Sequence, residues 1–174
     1  MIPLRSNIRW SKHLLIILIL QWVSTPLLAE IHFGNLVDVE GNRASPSDSI
    51  GQGKWTLVMI WATDCPICKA QKPEISAFYD RHKNNDADVF GIAIDGKQNR
   101  KAVISYIAEH NPTFPNYIGE IRTVAQDYRQ LTGEGFRGTP TYLLYNPQGE
   151  LKGLNPGPVS INAIEKFMVK NEKP

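Results

Sequence analysis

The chain has 174 residues, 42% hydrophobic and 21% charged, with a formal net charge of +2. That composition suits a globular protein and excludes a collagen-like, low-complexity or highly charged disordered chain. Two cysteines exclude a multi-disulfide framework and a four-cysteine zinc site, and the near-balanced charge leaves no footprint for nucleic-acid binding.

Residues 1–29 carry Arg5, Arg9 and Lys12 and no acid, then an unbroken apolar run from Leu14 to Leu20, then a mixed stretch ending at the small Ala29. This is the three-part layout of a secretory signal peptide, with cleavage after Ala29. The alternative is a retained N-terminal membrane anchor, since Leu27 is larger than the residue preferred three places before a cleavage site. Leu14 to Ala29, however, is interrupted by Gln21 and Pro26 and falls short of the ~20 residues a spanning helix needs. Either form exports the rest and leaves the basic end in the cytoplasm. Without residues 1–29 the 19 Lys and Arg fall by three while all 17 Asp and Glu remain, so the charge becomes −1. The basic excess belongs to the leader. Residues 30–174 are expected to form one domain.

Within that domain Phe33 to Val39 reads as a strand, Glu40-Gly41-Asn42 as a turn and Ser45 to Ser49 as a polar loop. Trp55 to Ala62 is a mostly apolar run of the kind that fills a central strand buried on both faces. Lys69 to Lys83 predicts a helix with Ile75 and Phe78 inward and a kink at Pro73. Val89 to Ile94 is a second buried strand, so strand, helix and strand form a parallel unit with a right-handed crossover. Gln98 to His110 predicts a helix with Val103, Ile104 and Ile107 on one face, broken by Asn111 to Pro115. Ile121 to Leu131 predicts another, with Ile121, Val124, Ala125 and Tyr128 inward. Thr141 to Tyr145, Asn146 to Gly149 and Glu150 to Leu154 read as strand, turn and strand. Ser160 then caps a last helix that packs Ile161, Ile164, Phe167 and Met168. The fold class is an α/β sandwich, a central mixed sheet flanked by helices.

The chemistry centres on Cys65-Pro66-Ile67-Cys68, where the apolar strand meets the helix. A helix N-terminus presents unpaired N–H groups and the positive end of the dipole, which stabilise a thiolate. Cys65, nearer that end and solvent, is the candidate nucleophile. Cys68, one turn on, would resolve the mixed disulfide. Pro66 fits an early helical position that needs no N–H. The same spacing is half a zinc site, but no second cysteine pair exists, and His82 and His110 read as surface residues. No cofactor or metal is expected. Since the chain has no further cysteine, electrons must come from, or go to, another protein.

Four local matches resemble the thioredoxin superfamily and, within it, the TlpA/ResA-like thiol–disulfide oxidoreductases. They are Trp61-Ala62-Thr63 before Cys65-Pro66-Ile67-Cys68; Pro73; Gly138-Thr139-Pro140-Thr141 before an apolar strand; and Phe33 to Lys54 as an N-terminal hairpin extension. Together they cover nearly all of residues 31–172. The resemblance implies a thioredoxin-like fold and a cis Pro140 that presents the backbone of Thr139 to a substrate strand. It also implies protein thiol or disulfide substrates, a membrane electron donor or acceptor protein, and a site in the periplasm or on the outer face of a bacterial inner membrane. Trp61, Pro66, Thr139 and Pro140 are the candidate substrate-binding residues, Trp61 either shielding the disulfide or packing in the core. Two departures stand out: Asp64 lies where thioredoxins place Trp, and Met59 where thioredoxin resembles a buried acid. Arg137 either steers acidic partners or is simply exposed.

Reduction of protein disulfides is the leading expectation, because Pro66-Ile67 brings no charge to favour a strongly oxidising site. An oxidase or isomerase of the same fold is the alternative. A Cu(I) metallochaperone needs a soft two-thiolate site, but the resemblance there is to a three-residue gap plus a distant histidine. A thiol peroxidase needs a threonine three residues before the cysteine, whereas Thr63 is two before Cys65.

Overall fold

The apolar runs become strands, and the two longest lie side by side in the middle of the sheet. The computed structural model describes residues 33–171, so the expectations on the leader lie outside the described residues. The strands are β1 (Leu36–Val37), β2 (Arg43–Ala44), β3 (Trp55–Trp61), β4 (Ala87–Ala93), β5 (Asn116–Ile118), β6 (Thr141–Tyr145) and β7 (Leu151–Pro156). The α-helices are α1 (Pro66–His82), α2 (Arg100–His110), α3 (Ile121–Thr132) and α4 (Ile161–Asn171). The sheet runs β2-β1-β5-β4-β3-β6-β7. β3 is parallel to β4 and antiparallel to β6, and every residue from Trp55 to Trp61 is buried, which is why the run needs no polar alternation. This is the expected mixed sheet flanked by helices, with a thioredoxin-like order.

The crossovers β3-α1-β4 and β4-α2-β5 step the same way across the sheet, so right-handed connections put α1 and α2 on one face. Tyr106 of α2 packs on Trp61 of β3, and the loop after α2 bonds α1 through Thr113 and Ser76. α4 joins α1 through an Arg81–Glu165 pair at 2.6 Å. Gln71 of α1 ties the approach to α4: its side chain accepts from Val159 N at 3.0 Å and from the Tyr142 hydroxyl at 2.9 Å, and donates to Val159 O at 2.7 Å.

Several boundaries differ from expectation. The N-terminal strand is only Leu36–Val37, paired with Arg43–Ala44 across the predicted turn, and Ser45 to Ser49 contains a short 3-10 turn with Pro46 and Ser47 buried. β5 was not predicted. It is a three-residue strand between Pro115 and Gly119, and one of its two buried residues is the polar Asn116. α3 buries Val124 and Tyr128 as expected, but Ile121, its first residue, expected inward with them, is 56% exposed. Phe167 lies at the margin of the core, edge-on to Trp55 with ring centroids 6.0 Å apart. Among the described residues, no helix is long and apolar enough to cross a membrane.

Candidate active site

β3 ends at Trp61, and four residues later the chain enters α1 through Cys65. Cys65 is the N-cap: its backbone is extended, and its sulfur accepts from the Cys68 N–H at 3.1 Å. Pro66 takes the first helical position, where the N–H it lacks has no partner to serve. Cys65 and Cys68 form a disulfide with Cα atoms 5.2 Å apart. Cys65 is the outer member, 8% exposed, and Cys68 is wholly buried. On reduction, the sulfur already held against the helix N–H groups is the one whose thiolate they and the dipole stabilise.

The second wall of the site comes from the start of β6. The Thr139–Pro140 peptide is cis. Thr141 pairs with Ile60 in the β3/β6 register, which sets Pro140 at the end of β3 that leads into the cysteines. Thr141 Oγ1 donates to Gly138 O at 2.6 Å, and Gly157 N donates to Pro140 O at 2.8 Å, so the segment is held from both sides. A cleft of about 650 Å³ lies between Ala62-Thr63-Asp64, before Cys65, and Phe136-Arg137-Gly138-Thr139, before Pro140. Asp95 and the exposed Ile121 also line it. Arg137, exposed, therefore faces the site rather than remote solvent.

Asp95, at the end of β4, was missed as a site residue. Its carboxylate accepts from Thr63 N at 3.1 and 3.2 Å and from the Thr63 hydroxyl, which fixes the loop before Cys65. Of the two roles open to Trp61, a substrate-binding candidate, the structure gives it the core one. It is fully buried, its Nε1 donates to Asn116 Oδ1 at 2.9 Å, and it offers no surface to a substrate. Pro66 is exposed beside Cys65, and Thr139 lines the cleft with the buried cis Pro140 next to it.

Lys72 was also missed. It is 1% exposed, with its ammonium 3.3 Å from the Trp61 ring centroid. Cys68, Lys72, Ile75 and Phe78 share the buried stripe of α1, so the 4-3-3 spacing was the available signal. His82 and His110, expected at the surface, are half-buried: His82 bonds Asp86 and Glu165, and His110 stacks on Tyr106. Among the described residues no group of His, Cys, Asp and Glu is arranged to hold a metal.

Residues 31–153 match the family model described as AhpC/TSA family. The chain belongs to the AhpC/TSA family. Within it, the chain is 25% identical over 117 residues to sporulation thiol-disulfide oxidoreductase A of Bacillus subtilis, covering 67% of each chain. It is 26% identical over 133 residues to thiol-disulfide oxidoreductase ResA of Halalkalibacterium halodurans, covering 76% of this chain and 70% of that one. The fold is similar to the thioredoxin domain of a thiol-disulfide oxidoreductase from Bacteroides vulgatus, with a TM-score of 0.61 at 21% identity over 77% of this chain and 94% of that one. This AhpC/TSA protein is thus of the ResA/TlpA-like kind, a thiol–disulfide oxidoreductase of the thioredoxin superfamily.

Proposed function

We propose that the protein is an exported reductase of protein disulfides, working through Cys65 as nucleophile and Cys68 as resolving thiol. The observation that carries this is the Cys65–Cys68 disulfide capping α1, its outer sulfur beside the cleft that Thr139 lines. A reduced Cys65 thiolate attacks one sulfur of a substrate disulfide, breaks it and forms a mixed disulfide. Cys68 then attacks Cys65 and expels the substrate as a dithiol, so two electrons leave with the substrate and the disulfide is restored. Thr139 offers its backbone to an extended substrate segment, while Ile121 and Phe136 on the cleft wall, and the exposed Ile67 two residues after Cys65, supply apolar surface for a chain that has not finished folding. Export rests on residues 1–29, cleaved or retained as an anchor, ahead of a single domain from residue 30. The site of action is then the periplasm or the outer face of the membrane. With no third cysteine, regeneration falls to a membrane electron-donor protein.

The test is the reduction potential of the pair by glutathione equilibration, with the Cys65 pKa from the same protein. A value near about −270 mV supports a reductase. A value near about −120 mV with a strongly depressed thiol pKa makes the protein an oxidase or isomerase instead. Cys68→Ala should accumulate mixed disulfides with substrate, and Cys65→Ser should form none.

A further inference from the structure

A fully buried lysine without a hydrogen-bond partner is a costly thing to keep, because an ammonium removed from water loses several kcal/mol of hydration unless something compensates it. Lys72 is such a residue: its Nζ is buried with no partner among the described residues. It lies 3.3 Å from the ring centroid of Trp61 and 4.8 Å from that of Tyr106. Cation–π contact returns only part of the lost hydration.

Position points to the compensation. Lys72 follows Cys68 by four residues on the same buried stripe of α1, so the two are neighbours one turn apart. Helical side chains lean toward the preceding turn, which carries the ammonium back over Trp61 toward the turn holding Cys68. We propose that Lys72 is the buried charge partner of Cys68: in the reduced protein the two share one proton, with ammonium and thiolate in equilibrium with amine and thiol, and the thiolate is the form that resolves a mixed disulfide. This rests on the exchange chemistry assigned above to Cys65 and Cys68.

In the step concerned, Lys72 as the amine takes the proton of the Cys68 thiol. The Cys68 thiolate attacks Cys65 Sγ, the Cys65–substrate bond breaks, and the substrate leaves as a thiolate carrying the electron pair. Lys72 is left as ammonium and returns its proton to solvent or to that leaving sulfur. The reverse sequence serves reduction of the disulfide by a donor dithiol, with Lys72 meeting the Cys68 thiolate as it departs.

The surroundings leave this role open. From the end of β4, Asp95 attracts the ammonium, but its carboxylate is already engaged by Thr63. From α2, Tyr106 contributes its ring, and its hydroxyl is itself buried without a partner. His110 lies beyond that ring, stacked on it at 4.1 Å. The β3 residue that faces this layer is Trp61, and Met59 two places earlier is apolar and buried, so β3 supplies no acid. Burial pulls Lys72 down from 10.5 to about 7, with Asp95 opposing, which lets it hold or release a proton at working pH.

Two measurements decide it. In the first, glutathione equilibria and thiolate absorbance are followed from acid to alkaline pH for wild type, Lys72→Met (unbranched and uncharged, one atom shorter) and Lys72→Arg. Loss of the charge should move the neutral-pH equilibrium about tenfold toward the disulfide, about 30 mV, and raise the Cys68 titration. Lys72→Arg should restore the thiolate but lose the inflection near neutrality, because arginine cannot give up its proton. In the second, NMR of the labelled Lys72 Nζ in wild type compares oxidised and reduced protein, and needs no variant to fold. The ammonium should persist to higher pH in the reduced form. Identical Lys72 titrations in both redox states, or an unchanged equilibrium in Lys72→Met, would overturn the proposal while leaving the exchange reading intact. Absence of any reversible couple with glutathione in wild type would remove the exchange reading, and this proposal with it.

Discussion

At the scale of single residues, the site is held by polar contacts that secure its loop rather than by the cysteines themselves. Asp95 receives both the N–H and the hydroxyl of Thr63, two residues before Cys65. Thr63→Val keeps the shape and the backbone bond but removes the hydroxyl, leaving a part-buried carboxylate short of one donor. Hydrogen bonds to charged groups contribute about 1.5–3 kcal/mol, so urea unfolding should register a loss in that range. Disulfide exchange should slow as well, because the loop sets the angle at which Cys65 meets its substrate. An unchanged exchange rate alongside the stability loss would reduce Asp95 to a fold-holding role. Ile121 belongs to the opposite kind, exposed and apolar on the cleft wall. Ile121→Asp should weaken KM for an unfolded-protein substrate several-fold and leave exchange with small thiols unchanged, since the rim touches the protein chain and not the sulfurs.

At the scale of elements, Gly91 on β4 shows how tightly the strands are keyed to each other. A Cβ there would meet Asn116 Oδ1 and lie 2.8 Å from Trp61 Nε1, straight across the bond between β3 and β5. Gly91→Ala should therefore cost about 2–4 kcal/mol in thermal or urea unfolding, from overpacking and two buried polar atoms losing each other. Asn116→Ala in the same background should recover part of that cost, because it removes the obstructing oxygen. This bond also explains what sequence could and could not convey. β3, α1 and the β6–β7 hairpin were legible because an unbroken apolar run, a helical stripe and a turn ending in Gly149 at φ 85° each carry a local signature. β5 carries none: three residues between a proline and a glycine, one of them a buried asparagine whose partner is 55 residues away. The cysteine pair and the Thr139–Pro140 segment were legible as motifs. Lys72 and Asp95 were not, because a charged residue reads as surface until its neighbours are known. The same bias, reversed, put the exposed Ile121 in the core.

At the scale of the whole molecule, Lys72 sets a pH dependence of stability that can be argued with its sign. In the oxidised protein its pKa falls from 10.5 to about 7, so the group is depressed on folding. Between those two values the unfolded chain binds a proton that the folded chain does not, and stability from this residue rises with pH. Below about 7 both states are protonated, and the folded state carries the full penalty of the buried charge. Near 10.5 and above both are neutral, and the penalty has gone. Lys72→Met removes this dependence, so the difference between variant and wild type should be largest in mild acid, on the order of 5 kcal/mol in favour of the variant, and should shrink toward pH 10. Urea unfolding of both proteins at three pH values across that window, with the disulfide intact, measures it directly. A difference that stays flat with pH would mean that the ammonium is not desolvated in the folded protein. Reduction adds a second arm to the same experiment. If the Cys68 thiolate becomes the partner that the oxidised protein lacks, the wild-type penalty should diminish once the disulfide is opened, and the advantage of Lys72→Met with it. Stability lost in one redox state and regained in the other is what a charge kept for chemistry would show, and a lysine kept only for packing would show the same penalty in both.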